Sequence, residues 1–377
     1  MVLAAQNRAE QDKYRRYDYG EYLGGLRPLF SESDFVAVNL ETPVAPSFPY
    51  TSKAASFNSP PSLLTALADV GVDFVSTANN HCLDRGVDGL VETLGQIDKT
   101  GLGHDGTYVS ESDSETICIR KICGLRVAIV CCTFGTNSQH NGVMLPSGEE
   151  WRIALTRTQM KKKNLGFNPD SAEVQYEYIA DDVSTAAIGN QKNTACLEKI
   201  LKKVREAKNL ADFVVAILHV GGQYNPAPGA YAKYIVQELR TAGADLIIAG
   251  HPHTSLRSVW ASDCFLTYSL GNLCFTPNVG YYAKNTLADY GIVLHAYVRS
   301  ESRTIARMTF DVVKSCVQND GCTQVLPVIE LLRRGLCASE RERLEMEVEA
   351  VVNRFRGTAG DVDIAREYEF SGESKLP

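Results

Sequence analysis

Residues 242–253 read AGADLIIAGHPH, and this stretch decides the fold. Leu246, Ile247, Ile248 and Ala249 form an apolar run too short for a helix and unbroken by polar residues, as expected of a strand buried on both faces. It passes directly into Gly250-His251-Pro252-His253, which sets two imidazoles on one tight turn. Three further apolar runs end in a similar way. Residues 35–38 lead into Asn39-Leu40-Glu41, residues 74–78 into Asn79-Asn80-His81, and residues 214–218 into His219. Ligand sites in open α/β sheets form at the carboxyl ends of the strands. A lone histidine after a strand is more often a hydrogen-bonded structural residue, and Asn79-Asn80 alone is a turn. Four strand ends that collect carboxylate, amide and imidazole together point instead to a divalent metal site. His104, His140 and His295 lack this context and read as structural or exposed.

Outward from these runs, the sequence alternates short apolar stretches with helix-period segments, the pattern of a sheet with covering helices. Ser59-Pro60-Pro61 reads as a helix start with Ser59 as cap, followed by Leu63, Leu64, Leu67 and Ala68 on one face. A second helix is predicted over 87–99, with Leu90, Val91, Leu94 and Ile97 inward. Strands are predicted at 73–77, 127–132, 213–218 and 244–249, and helices at 194–208 and 230–241. Shorter strands at 265–269, 291–298 and 304–310 suggest antiparallel pairing. Residues 139–192 break the rhythm and read as an insertion within a domain spanning 1–335. Its Lys161-Lys162-Lys163 run reads as a solvated face. Residues 336–377 read as a charged amphipathic helix, over 339–355, with a polar tail.

The 377 residues are 44% hydrophobic and 22% charged, as in ordinary globular chains. Thirty-eight basic against 45 acidic residues give a net charge of −7, which argues against nucleic acid as a partner. Eleven cysteines form no zinc-ribbon or C-x-x-C spacing; they read as buried thiols in a reducing, cytoplasmic setting. No apolar run suggests a membrane span, and the charged segment after Met1 does not suggest an export signal. No Gly-x-Ser-x-Gly occurs, so Ser269, before Leu270-Gly271-Asn272, reads as part of a loop lining the cleft and not as a nucleophile.

The order Asn-x-Glu, Asn-Asn-His, His, Gly-His-x-His resembles the calcineurin-like metallophosphoesterases. It resembles more closely a branch of that fold, the bacterial capsule-synthesis family of CapA or poly-γ-glutamate synthesis proteins. The passages that carry the match are FVAVNLETPV (35–44), GVDFVSTANNHCLDRGVDGLVETLGQI (71–97), TFGTN (133–137), ILHVGGQY (217–224), AGADLIIAGHPH (242–253) and YSLGN (268–272). The resemblance covers roughly residues 20–330 and implies an α/β fold, a four-layer α/β/β/α metallophosphoesterase-like sandwich.

The resemblance further implies metal ligands at Glu41, as bridging carboxylate, and at Asn80, His219 and His251, with His253 on a second ion. His81 would stand over the substrate and serve the leaving oxygen, its ring unligated and facing open space, with Asp84 orienting it. The ions would be Mn, Fe, Zn or Co. The family's first strand ends in Gly-Asp, and nothing before Glu41 has that form. The sandwich is therefore expected to lack its first strand, leaving one metal site well liganded and the second short of its carboxylate. Two functions follow as expectations. One is a metal-dependent hydrolase or transferase acting on a phosphoester or a γ-glutamyl polymer. The other is a non-catalytic accessory protein that binds polymer or capsule-synthesis partner subunits.

Overall fold

The computed structural model describes residues 19–51, 56–161, 188–261, 263–275, 286–318 and 322–370. Two sheets face each other. The first contains the short parallel strands β1 (Ala37–Asn39), β2 (Phe74–Ser76) and β3 (Gly103–Asp105), in that order. The second has six strands: β4 (Cys118–Ile122), β5 (Leu125–Thr133), β6 (Phe213–His219), β7 (Leu246–Gly250), β8 (Ser255–Ala261) and β9 (Cys264–Leu270). Their order is β4-β5-β6-β7-β9-β8, with β5, β6, β7 and β9 parallel.

Strand alternation assigns the faces. On β6, Val214, Ala216 and Leu218 meet the helices, while Phe213, Val215 and Ile217 point toward the other sheet, against Phe74 and Ala78. The helices on the second sheet are α3 (Gln191–Leu210) and α4 (Ala230–Thr241); those on the first are α1 (Ser62–Asp69) and α2 (Gly86–Thr100). The layers are therefore α/β/β/α. A third group of strands, β10 (Tyr290–Arg299), β11 (Thr304–Val317), β12 (Thr323–Pro327) and β13 (Tyr368–Glu369), is antiparallel. Helix α5 (Ala338–Arg356) packs over it through Leu344, Val348, Val351, Val352 and Phe355.

Several local expectations are corrected. Ser59 caps no helix: α1 begins at Ser62 after two prolines, and the Ser59 hydroxyl is 2.9 Å from that of Thr42, both buried. Val91 is exposed, because α2 buries the stripe of Leu90, Thr93, Leu94 and Ile97. Ser269 lies within β9, not in a loop, and its buried hydroxyl accepts from the Gly271 N–H at 3.1 Å. His104 sits in β3. Cys123 and Cys337 are exposed, unlike the buried Cys82, Cys131, Cys132, Cys264 and Cys274; the free thiols form no disulfide among the described residues. Within the expected insertion, Ile153 bridges Thr107 and Leu155 bridges Thr133. Lys161 is exposed, while Lys162, Lys163 and the rest of 162–187 fall outside the described residues. So do residues 1–18, on which the expectation of a missing first strand falls.

Candidate metal centre

Each sheet brings two strand ends to one place. Leu40 extends the β1–β2 pairing by donating its N–H to the Ser76 carbonyl at 2.9 Å. The Asn79 amide then donates to the Leu40 carbonyl at 2.8 Å, tying the turn after β1 to the turn after β2. This sets Glu41 beside Asn80. From the opposite sheet comes His219, whose parity along β6 matches Phe213, Val215 and Ile217 and so aims it between the sheets. By the same alternation His251, just past β7, would face the helices. Its φ of 103° turns the chain instead, and His253 follows with φ 58°. Two non-glycine residues with positive φ in one four-residue turn are strained backbone of the kind that functional sites retain. Gly221 (φ 120°) lies against this turn, with Pro252 only 3.0 Å from where a Cβ would stand.

The donor atoms converge. His219 Nε2 is 2.8 Å from Asn80 Oδ1, 3.0 Å from His251 Nδ1 and 3.5 Å from Glu41 Oε1. Glu41 Oε1 is also 3.8 Å from His253 Nε2. Among the described residues, Glu41, His219 and His251 are the cluster of three such donors close enough to share one ion. Burial, reinforced by the neighbouring histidines, holds His219 and His251 well below the usual imidazole range, which favours the neutral rings that bind metal ions. Burial likewise lowers His253, with Glu41 acting the other way. For Glu41, burial works to raise the carboxyl, and the histidines, His253 foremost, more than offset it. Glu41 Oε1 is buried and accepts no hydrogen bond. A carboxylate oxygen left unpaired at this depth costs free energy unless a cation meets it. The donor set, one carboxylate, one amide oxygen and neutral imidazoles, fits a divalent transition ion.

His81 departs from its expected open setting. The ring is buried and stacked on Phe57, with centroids 4.0 Å apart and planes 9° apart. Asp84 Oδ2 lies 2.6 Å from its Nδ1. The carboxylate accepts a hydrogen bond from Nδ1–H and so favours the tautomer that leaves Nε2 as the exchanging atom. Asp84 also accepts from the Phe57 N–H at 2.7 Å and from the side chains of Asn137 and Asn141.

Two further amides serve the site: Asn137 and Asn272 end two of the passages that carry the resemblance, TFGTN and YSLGN, but were given no role in it. Asn272 Oδ1 lies 2.9 Å from His253 Nδ1, while its Nδ2 donates to the carbonyls of His253 and Ala288. Gly271, at φ 75°, permits this, since a Cβ there would lie 2.8 Å from the Tyr290 carbonyl. Asn137 stands between Asn80 and Asp84. Of the remaining histidines, His140 lies in the short helix Ser138–Asn141, and His295 on β10 pairs with Asp311 at 2.7 Å.

The site thus defines an α/β sandwich with a buried carboxylate–amide–imidazole donor cluster at its strand ends. The chain belongs to the bacterial capsule synthesis protein family PGA_cap, whose match spans residues 2–277. It is 28% identical over 257 residues to the PGA biosynthesis protein CapA of Bacillus subtilis, covering 66% of this chain and 55% of that protein. It is 23% identical over 264 residues to the capsule biosynthesis protein CapA of Bacillus anthracis, covering 69% and 55%. The chain therefore spans about half the length of these curated relatives. A solved structure, the Thermus thermophilus sulfate thiohydrolase SoxB, aligns over 79% of this chain and 41% of its own, with 15% identity and a TM-score of 0.34. Among the described residues no helix is long and apolar enough to cross a membrane.

Proposed function

We propose that this chain is a divalent-metal-dependent hydrolase or transferase of capsule synthesis, acting on a phosphoester or on a γ-glutamyl polymer. The observation that carries the reading is the meeting of Glu41, Asn80, His219 and His251 around one point, with Glu41 Oε1 buried and accepting no hydrogen bond. Those four residues would hold one ion, and His253, facing the same Glu41 oxygen, would take part in a second. A bound divalent ion supplies Lewis acidity and a water of lowered pKa. Asn272, bonded to His253 Nδ1, leaves His253 Nε2 directed at Glu41. His81 would pass a proton from Nε2 to a departing oxygen, while Asp84 accepts the hydrogen bond from Nδ1–H and orients the ring. Phe57, stacked on that ring, excludes water from one face.

The test is metal analysis and turnover of a chromogenic phosphodiester and of γ-linked polyglutamate. About one tightly held ion per chain is expected, with feeble phosphodiester hydrolysis that climbs under millimolar Mn. Turnover that survives complete chelation would overturn the reading. A second reading, a non-catalytic protein that binds polymer or partner subunits, draws on a specific feature. Among the described residues Glu41 is the one carboxylate paired with His253, and His219 shares it. Polymer binding that persists in His81→Ala, with no turnover under any metal, would favour that alternative.

A further inference from the structure

Asn137 follows β5 by four residues and is buried. Its backbone N–H donates to the Asn80 carbonyl at 2.8 Å, which fastens the two turns together. Its side chain then uses both ends. Oδ1 accepts from Asn80 Nδ2 at 3.0 Å, and Nδ2 donates to Asp84 Oδ1 at 3.3 Å, with His81 Nδ1 3.1 Å away. An asparagine amide has an oxygen end and a nitrogen end of nearly equal shape, and only its hydrogen-bond partners decide which way round it stands. Asn80 is such a case: its Oδ1 meets His219 Nε2 at 2.8 Å only while its Nδ2 points away from the donor cluster. Asn137 Oδ1 supplies the acceptor that keeps it so. Turned over, Asn80 would present N–H groups to a cation.

We propose that Asn137 is a positioning residue that selects the amide orientation of Asn80 and, through its other end, ties that choice to the His81–Asp84 pair. The proposal rests on the reading of Asn80 as a metal ligand. It accounts for an otherwise unexplained juxtaposition: one buried amide touches both a donor to the ion and the carboxylate that orients His81. Its two ends make separable contributions. The oxygen end serves metal binding, and the nitrogen end serves turnover.

Two variants pull them apart. Asn137→Ala removes both ends. Asn137→Asp keeps an acceptor for Asn80 Nδ2 but removes the donor to Asp84 and sets a second carboxylate beside it. Co(II) affinity, read from the visible spectrum in competition with a chelator, is measured alongside phosphodiester turnover at saturating metal and thermal melting of the metal-free proteins. Partners of metal ligands typically contribute 10–100-fold. Asn137→Ala should therefore weaken Co(II) binding by about 10–100-fold. Asn137→Asp should bind Co(II) no more weakly than the unmodified chain yet lose about 10–100-fold in turnover. A merely structural role would lower both melting temperatures and shift affinity and turnover together. Equal Co(II) affinity in the unmodified chain and Asn137→Ala, or equal loss in both variants, would overturn the proposal. Failure of the unmodified chain to bind Co(II) would instead sink the reading of the metal site, and this proposal with it. In the metal-free protein, slow hydrogen exchange of the Asn80 side-chain N–H that becomes fast in Asn137→Ala would support the orientation itself.

Discussion

His251 and His81 differ in what each has within reach. His251 Nδ1 lies among the converging donors, whereas His81 Nδ1 is committed to Asp84. His251→Ala should therefore abolish tight metal binding. His81→Ala should leave it intact and remove the residual turnover, with metal content and phosphodiester hydrolysis as the readouts; full turnover in His81→Ala would disprove its role. The same residues predict a pH dependence. Burial holds His219 and His251 well below their ordinary range, while in the unfolded chain they titrate near about pH 6.5. Below that value the unfolded state binds more protons, so metal-free stability is complete above it and falls as the pH drops. The slope is up to about 1.4 kcal/mol per pH unit for each ring. Urea unfolding of chelator-treated protein should show it, and a flat profile down to about pH 5.5 would mean that the rings take protons as readily folded as unfolded.

At the scale of elements, α5 lies outside the region that matches the family, yet it touches the turn that carries the histidines. Arg354 Nη1 donates to Thr254 Oγ1 at 2.5 Å and to the Thr286 carbonyl at 3.2 Å, and Thr254 directly follows His253. The Ser258 hydroxyl on β8 donates to the Phe355 carbonyl at 2.7 Å. Arg354→Ala should loosen the turn and lower affinity for the ion that uses His253, by roughly tenfold or more; titration of a second equivalent of Mn reads this. Phe355, fully buried with its ring 4.9 Å from Phe310, anchors the helix. Phe355→Ala should cost about 3–5 kcal/mol in denaturant unfolding. A much smaller loss would show that α5 is not part of the cooperative core.

For the whole molecule, the decisive feature is that the donors come from both sheets. Glu41 and Asn80 follow β1 and β2, and His219 and His251 end or follow β6 and β7. An ion bound there cross-links the two middle layers and exists as a site only in the folded state. Metal should therefore stabilise the fold by mass action, by about 2.7 kcal/mol at a hundredfold excess over its dissociation constant. Melting curves with chelator and with added Mn test this, and the shift should vanish in His251→Ala.

The long helices and buried strands were legible because an apolar period survives in the sequence whatever packs against it, as in 213–218 and 230–241. Strand β8, SLRSVWA, was not, because Arg257 and two serines interrupt its apolar pattern although most of its residues are buried. Residues 153–155 escaped notice for a similar reason: isolated bridges leave no periodic signature. Glu41, Asn80, His219, His251 and His253 could be picked out as candidates because each stands at the end of an apolar run, where a sheet delivers side chains. Asn137 and Asn272 lie in passages that resemble the family, yet their roles were not legible, since asparagine is common in any turn and only a partner distant in the chain gives it a task. The local sequence determined which residue types stand at which strand ends. Tertiary structure decided which atoms meet, because the distances that define the site run between sheets and depend on packing, on two positive-φ histidines and on the orientation of amides.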